Sequence, residues 1–463
     1  MKTRQGVGNI SQDWEPMPNR LHVLPDEPVA RMADYVAAGG GQGLAEALRL
    51  DPAEVIAEVE RSGLRGRGGA GFSTGRKWAS VLEAAGDGRT PAVVCNAAEG
   101  EPGTFKDRAL MARNPWAVVE GLCIAMYAVG TARGVIATKE RYPLQARRLT
   151  EARDAMAAEG FAGAAGVEIL LGPDEYLYGE ESGLLEVVEG KLPLPRILAP
   201  YMYGLHATMQ QPNPTVVNNV ETLAHVPGIL REGAERFRQQ GTQQAPGTMV
   251  FTVVGDVDSP GVYELPLGTP LRTLLVDIGG AHDIKAIYSG TSNTVIVPGL
   301  LDLPLDFDSF AEAGTGLGSG GFVVYGADRC IVAVTASLSR FLAVESCGQC
   351  PPCKLHGVEL FERLERLCRE GGQAADLQEI RKRCALVTDS NRCYLPVGHA
   401  LLVRSTLDAY ADEFAARLAG PCDHPDVDVP KIVELDDDTG EVRFDPDYSR
   451  KRMDWSYGDD GNA

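Results

Sequence analysis

The sequence predicts an α/β protein: a parallel sheet covered by helices, then a small separate α+β domain, then a C-terminal helical bundle. Between about Gly63 and Leu171, short β runs alternate with helical stretches, an order that produces parallel strands joined by crossover helices. From about Gly247 the pattern changes to closely spaced β runs around one amphipathic stretch. After about Thr335 apolar positions recur at three- and four-residue spacing, the mark of packed amphipathic helices. A chain of 463 residues has room for these as separate cores, at roughly 100–200 residues per domain.

The elements follow in order. Residues up to about Gly43 are polar and Pro-rich and end in the run Gly39–Gly41, so they read as an arm wrapping the surface. The next helix has Asp51 as cap, Pro52 as first helical residue and Glu54 closing a capping box, with Val55, Ile56 and Val59 as its buried stripe. Strands are expected near Val93–Cys95, Val135–Thr138 and Glu168–Leu171, and helices near Pro115–Ala128, started by Asn114, and Pro143–Ala158. TMVFTVVG, GVYELPL, VIV and GGFVVYG supply the β runs of the second unit, around the amphipathic stretch Leu271–Ile278. Leu360, Phe361, Leu364 and Leu367, then Leu407, Tyr410, Phe414 and Leu418, form the apolar faces of the bundle. The expected divisions are an N-terminal arm and helix over 1–62, the parallel-sheet domain over 63–245, the small domain over 246–333, the bundle over 334–419 and an acidic extended tail over 420–463, which includes Asp436–Asp438 and ends SYGDDGNA.

A composition of 44% hydrophobic and 23% charged residues is that of a globular chain, so disorder is not the main theme. The formal net charge of −20 argues against nucleic-acid binding, because neutralising phosphates needs clustered Lys and Arg; an anionic ligand must be held locally. No apolar run approaches the ~20 residues that span a bilayer, and MKTRQGVGNISQDWEPMPNR lacks the apolar core of a secretory signal. The expectation is a cytoplasmic chain without direct membrane insertion, peripheral to a membrane only through partner subunits.

The segment from Glu345 to Gly357, ESCGQCPPCKLHG, places Cys347, Cys350 and Cys353 at three-residue intervals in a loop punctuated by Gly and Pro. Three sulfurs thus converge on one face of a cluster. A cubane needs four thiolates, the soft ligands that iron-sulfur clusters and zinc prefer. Cys384 and Cys393 are the nearest downstream candidates for the fourth; Cys393 sits in a turn before a helix and is favoured over Cys384, which lies in an amphipathic stretch. A structural zinc more usually takes two Cys-x-x-Cys knuckles or adds histidine. The other cysteines, Cys95, Cys123, Cys330, Cys368, Cys384 and Cys422, are scattered and read as small hydrophobes or free thiols.

The run Leu64–Trp78, LRGRGGAGFSTGRKW, opens a helix whose buried face would be Trp78, Val81 and Leu82. Amides exposed by Gly66, Gly68, Gly69 and Gly71, with the helix N-terminus, suit a phosphate; Arg67 and Lys77 supply charge, and Phe72 an aromatic face for a planar ring. A tight turn would explain such glycines equally well. The run matches neither G-x-x-x-x-G-K-[ST] nor the strand-first dinucleotide fingerprint.

Together with this loop, CNAAEGEPGTFKDR (Cys95–Arg108), YGEESGLLEVVEGKLPLPR (Tyr178–Arg196), PTVVNNVETL (Pro214–Leu223) and ESCGQCPPC resemble the flavoprotein subunit of respiratory complex I (NADH dehydrogenase) and its homologues in NAD-linked hydrogenases and formate dehydrogenases, over about Gly63–Leu418. The resemblance implies a Rossmann-like FMN-binding domain, a ubiquitin-like β-grasp domain and a helical bundle carrying a 4Fe-4S cluster. It implies hydride transfer from NADH to FMN, single electrons to the cluster, and onward transfer to a thioredoxin-like 2Fe-2S subunit and other subunits of a multisubunit redox complex. By position, the Gly66–Gly71 loop, Asn96, Asn218, Asn219 and Thr222 would hold FMN, with Glu99 beside it. Glu180 and Glu181 would face the nucleotide, Phe72 and Tyr201 would stack on its rings, and Lys77 would neutralise phosphate. Cys347, Cys350, Cys353 and Cys393 would ligate the cluster.

Three positions depart from the family pattern. Ala98 stands where relatives usually have Asp, Ser80 where a second aromatic is usual, and Leu198 where a lysine is often found. Losing a stacking face and a phosphate partner would cost roughly 1–3 kcal/mol in nucleotide affinity if nothing compensates.

Overall fold

A computed structural model of the chain describes residues 22–86, 89, 91–436 and 439–458. The first 21 residues of the expected arm, Asp437, Asp438 and the last five residues lie outside the described residues. The described part of the arm holds α1 (Met32–Ala37) and α2 (Gln42–Ala47), and its Val23, Leu24, Tyr35 and Leu44 are buried in the core beside the parallel sheet. Its anchor is Glu120, fully buried, which accepts from the Tyr35 hydroxyl and the Gly41 amide at 2.6 Å each and from the Leu44 amide at 2.9 Å. Helix α3 (Pro52–Ser62) has the expected capping box and buries Val55, Ile56 and Val59. Helix α4 (Thr74–Ala85) follows the glycine loop and buries Trp78 and Val81, while Leu82 is only half-buried.

The three expected strands are β1 (Ala92–Ala97), β2 (Gly134–Lys139) and β3 (Val167–Gly172), separated by α5 (Lys106–Arg113), α6 (Pro115–Val129) and α7 (Pro143–Ala158). A short α8 (Glu181–Val188) leads to a fourth strand, β4 (Thr215–Asn219), inside the PTVVNN segment. The sheet order is β3-β2-β1-β4 and every pairing is parallel. Period-two alternation missed β4 because Thr215–Asn218 are all buried, so no exposed position alternates with a buried one, and only Val216 and Val217 of its five residues are apolar. Every residue of α6 except Tyr127 is buried, and Gly121 lets α9 (Val220–Glu232) approach so closely that a Cβ there would stand 2.0 Å from the Leu223 carbonyl oxygen.

After α10 (Ala234–Phe237) comes a second sheet of β5 (Thr248–Gly255), β6 (Gly261–Pro266), β7 (Ile284–Ser289) and β8 (Gly321–Gly326), ordered β6-β5-β8-β7. Strands β5 and β8 are parallel and the outer pairs antiparallel. The expected amphipathic stretch is a wide helical turn over Thr273–Ile278, and α11 (Phe307–Glu312) precedes β8. The bundle comprises α12 (Ile331–Glu345), α13 (Pro351–Glu370), α14 (Ala374–Leu386), α15 (Leu395–Ala409) and α16 (Ala411–Ala416).

Two expectations are corrected. The segment after Gly420 is not an extended solvated tail: it forms the hairpin β9 (Ile432–Leu435) and β10 (Val442–Phe444) and lies against both the bundle and the parallel-sheet domain. Lys431 pairs with Asp174 at 2.7 Å, Lys451 with the buried Glu345 at 2.9 Å, and Tyr448 is buried and donates to Glu345 at 2.8 Å. The acidic count hid the lysines and tyrosine that dock it. Nor are all six scattered cysteines isolated, since Cys330 and Cys422 are in disulfide contact with Cα atoms 6.8 Å apart, and Cys368 lies beside them. Cys95, Cys123 and Cys384 are single buried thiols. Among the described residues no helix is long and apolar enough to cross a membrane.

Candidate functional site

The glycine loop is pinned at both ends, by Gly66 N–H to the Phe72 carbonyl at 2.8 Å and Thr74 N–H to the Leu64 carbonyl at 2.9 Å. Arg67 does not point toward a ligand, contrary to expectation. It is fully buried, and its guanidinium donates to the carbonyls of Arg65, Pro246 and Thr248 at 2.9–3.1 Å while its amide donates to Thr222 Oγ1 at 2.8 Å. Its charge is spent riveting the loop to β5. Arg65, which no sequence signal marks, ties the loop to α11 by donating to the Gly71 carbonyl at 2.6 Å and pairing with Asp308 at 2.8 Å. Gly71 has φ of +61° and a Cβ there would meet the Phe307 ring at 2.7 Å. Gly71→Ala is therefore expected to cost about 1–3 kcal/mol of backbone strain and to lower flavin retention roughly tenfold or more, read as bound flavin per chain after gel filtration.

Beyond the loop, parallel strands β1 and β4 lie side by side with Asn96 opposite Asn219, so their carboxyl ends open on one crevice, the usual ligand position in α/β sheets. Asn218 accepts from the Trp78 indole at 2.7 Å, Asn96 donates to the Gly179 carbonyl at 2.7 Å, and Asn219 donates to Asp107 at 2.6 Å. The residue types expected to meet a sugar-like chain are thus held rigidly by neighbours.

These residues line a cavity of about 650 Å³, within the range of small-molecule sites. Its walls include Gly66, Gly68, Gly69, Gly71, Phe72, Lys77, Asn96, Glu99, Glu180, Glu181, Asn218, Asn219 and Thr222, every expected cofactor residue except Arg67 and Tyr201. Tyr201 is half-exposed on a turn outside the cavity, so the expected second ring contact is not in place. Ser80 and Leu198 do not line it either, whereas Ala98 does. Lys77 forms an ion pair with Glu181 and donates to the Val217 carbonyl at 3.0 Å. Glu180 caps α8 by accepting from the Ser182 and Gly183 amides at 3.0 and 2.8 Å; burial raises its carboxyl against those bonds.

Behind the crevice lies a buried charge cluster that sequence reasoning does not find. Lys106, without exposed surface on its side chain, reaches Asp107 at 2.7 Å and Glu221 at 2.8 Å, and Arg108 pairs with Glu99 at 2.7 Å. Burial lifts the Asp107 carboxyl to about 6, Lys106 opposing and Glu99 and Glu221 adding to the lift. Burial also raises Glu221, but Lys106, His225 and Arg67 together hold it down to about 2. The motif Cys95–Arg108 is the available signal, though nothing local says which of its charges turn inward. Glu101 is likewise invisible from the chain alone: it lines the cavity, accepts from the Tyr176 hydroxyl at 2.6 Å and Thr291 Oγ1 at 2.9 Å, and so joins the first domain to the second. Ser289, Asn293 and Ser319 bring the second domain into the same wall.

Cys347, Cys350, Cys353 and Cys393 surround a separate small pocket with Leu177 and Leu395. Cys347 lies near the start of the loop after α12, Cys350 caps α13, Cys353 is in its first turn, and Cys393 precedes α15, so the expected fourth ligand is brought to the other three. Cys384 is instead buried in the apolar cluster on α14. Lys354 fixes the loop by donating to the carbonyls of Ala343, Ser346 and Met453, and Gln349 ties it to Pro195 at 3.0 Å. Four thiols around a pocket, with no carboxylate or imidazole among its walls, suit an iron-sulfur cluster. The glycine-floored cavity suits a flavin nucleotide: a Cβ on Gly66 or Gly69 would meet no atom nearer than 3.6 or 3.8 Å, leaving the backbone open to a phosphate.

Known proteins are similar to this chain in sequence and in fold. A family model described as the Nuo51 FMN-binding domain matches residues 59–228, one described as the NADH-ubiquinone oxidoreductase-F iron-sulfur binding region matches 333–417, and an SLBB domain matches 250–292. The chain is 37% identical over 422 residues to the second F-type subunit of the NADH-quinone oxidoreductase of Rhizobium meliloti, covering 88% of this chain and 98% of that one. It is 37% identical over 398 residues to the HndC subunit of the NADP-reducing hydrogenase of Solidesulfovibrio fructosivorans, covering 83% and 80%. A subunit of an NAD+-reducing NiFe-hydrogenase solved in the H2-reduced state superposes with a TM-score of 0.75 at 31% identity, over 84% of this chain and 67% of that one. The fold and its two pockets define an oxidoreductase subunit built on an FMN-binding domain and a 4Fe-4S-binding region. The chain belongs to the family of F-type subunits of NADH-quinone oxidoreductase.

Proposed function

We infer that the chain oxidises NADH at bound FMN and delivers electrons singly, through a 4Fe-4S cluster, to partner subunits of a larger redox complex. The observation that carries this is the shared wall: Cys393, Leu177 and Leu395 line both the flavin-sized cavity and the four-cysteine pocket, so donor and acceptor sites are separated by one layer of side chains. FMN held by the glycine loop and the Asn96, Asn218 and Asn219 side chains would supply hydride chemistry, and a cluster held by Cys347, Cys350, Cys353 and Cys393 would supply one-electron transfer.

This chain's own residues bind and orient. Gly66–Gly71 and the α4 N-terminus would offer amides to the phosphate, Asn96, Asn218, Asn219 and Thr222 would address the ribityl chain and ring, and Phe72 would stack on a dinucleotide ring. Lys77 exchanges its Glu181 partner for phosphate, freeing Glu181 to accept from ribose hydroxyls. Glu99 acts indirectly, holding Arg108 and the Asp107 amide in place. We read the first domain as Rossmann-like, the second, near 246–333, as a β-grasp unit, and the 334–419 bundle as the cluster carrier. The receiving partner is a thioredoxin-like 2Fe-2S subunit, and the complex sits in the cytoplasm, reaching a membrane only through its other subunits.

A second reading, a diaphorase module of a hydrogenase or formate dehydrogenase that runs toward NAD+ reduction or takes another nucleotide, draws on two observations. Ser80, Leu198 and Tyr201 leave the outer part of the nucleotide site without its usual aromatic and lysine, and relatives include hydrogenase subunits. Anaerobic titration of the flavin- and cluster-loaded protein with NADH, and in parallel with NADPH, separates the readings. Bleaching of the flavin band at NADH concentrations on the order of micromolar is the expected result; flavin that stays oxidised with NADH but bleaches with dithionite would overturn the donor assignment.

A further inference from the structure

Away from the flavin cavity and the cluster pocket, three more cysteines converge. Cys330 is the N-cap of α12, Cys368 lies in the last turn of α13, and Cys422 follows α16. Their sulfurs lie within 4.8 Å of one another, and the Cys422 amide donates to the Cys368 carbonyl at 2.7 Å. Cys368 and Cys422 are buried in the apolar cluster that holds Ile331, Leu367 and Phe414. His424, exposed, stands two residues beyond Cys422.

We propose that Cys330, Cys368 and Cys422 form a second metal site that takes one zinc ion, with His424 completing a tetrahedral set. A covalent link between Cys330 and Cys422 would engage two sulfurs and leave the third idle beside them, whereas one soft cation engages all three. Forming that link would also remove two electrons and two protons, whereas zinc displaces only protons. Three thiolates and an imidazole are a common structural zinc set, and here three cysteines from three distant elements reach one point.

The role that follows is mechanical. The site ties the start of α12 and the end of α13 to the point where the chain leaves the bundle for β9. From there it continues to Lys431, Tyr448 and Lys451, and to Trp455, whose indole donates to the Val344 carbonyl at 3.0 Å just before the cluster loop. Zinc would therefore hold the C-terminal segment over the cluster-bearing loop.

The test uses the full-length protein, purified anaerobically with flavin and cluster in place and any affinity tag removed, and measures zinc beside iron. One zinc per chain is expected, with a zinc-edge X-ray absorption signal showing sulfur ligands at about 2.3 Å. Cys368→Ser is the discriminating variant, because a Cys330–Cys422 bridge survives it and a three-thiol site does not: zinc should fall at least tenfold while iron is retained, and proteolysis after Leu418 should accelerate. His424→Ala, on an exposed residue, is expected to fold and to lose zinc to a competing chelator at least tenfold more readily. Full iron without zinc in the unmodified protein, with mass spectrometry finding Cys330 linked to Cys422, would overturn the proposal in favour of a disulfide. Zinc retained in Cys368→Ser would overturn it too.

Discussion

Replacing Cys393 with serine is expected to strip the chain of its cluster while leaving the flavin reducible by NADH. Cys393 is the one ligand contributed from outside the 347–353 loop, and it lines both pockets. A hydroxyl is a hard, weakly ionised donor where iron-sulfur clusters want thiolate, and even outer-shell losses at metal sites cost about 10–100-fold in affinity, so losing a direct ligand should cost at least that. Reductive titration is expected to take up about two electrons per chain in the variant, against about three in the unmodified protein, with the cluster's paramagnetic signal gone. Cys384→Ser, in the apolar interior of the bundle, serves as the control and should keep its iron. If Cys393→Ser kept full iron and Cys384→Ser lost it, the ligand assignment would be wrong.

The second large effect is on stability. Lys106→Met should destabilise the parallel-sheet domain by about 3–5 kcal/mol, because it leaves Asp107 and Glu221 as buried carboxylates without their shared cation. For a domain of this size that is a fall in unfolding temperature of roughly 6–20 °C. The deficit should depend on pH in a definite direction. Asp107 already has a folded-state pKa raised to about 6, above its unfolded value, so the folded form holds the proton more tightly and its ionisation costs stability. Removing Lys106 raises that carboxyl further. The deficit is therefore expected to be largest at neutral pH and above and to shrink as pH falls through the folded pKa toward the unfolded one. Asp107→Asn in the same background should recover part of it. A melting temperature unmoved by Lys106→Met, or a deficit the same at pH 5 and pH 8, would count against this account.

The elements that could be read from the chain are those whose cause is local. The Asp51–Pro52–Glu54 capping box, the Asn114–Pro115 start and the alternating runs that became β1, β2 and β3 all depend on neighbours within a few residues, and the structure contains each. The cysteine loop was legible for the same reason: a three-residue interval among Gly and Pro restricts where sulfurs point before any tertiary contact forms. The five motifs carried the family, since residue type and order survive in a sequence as they stand.

Packing decided the rest. Arg67 and Lys77 look alike as basic residues beside glycines, yet one is buried under three carbonyls and the other opens onto the cavity, a difference set by β5 arriving some 180 residues later in the chain. Tyr201 fell outside the cavity because its turn is positioned by contacts that its own sequence does not encode. The Lys106–Asp107–Glu221 cluster, the Glu101 bridge to the second domain, the docked C-terminal segment and the meeting of Cys330, Cys368 and Cys422 each join residues far apart in the chain. The sequence by itself determined which chemistry the chain carries, because cofactor-binding loops and ligand spacings are short-range. Only the tertiary structure decided which charges face a ligand and which hold the fold, because burial belongs to the surroundings that distant segments create.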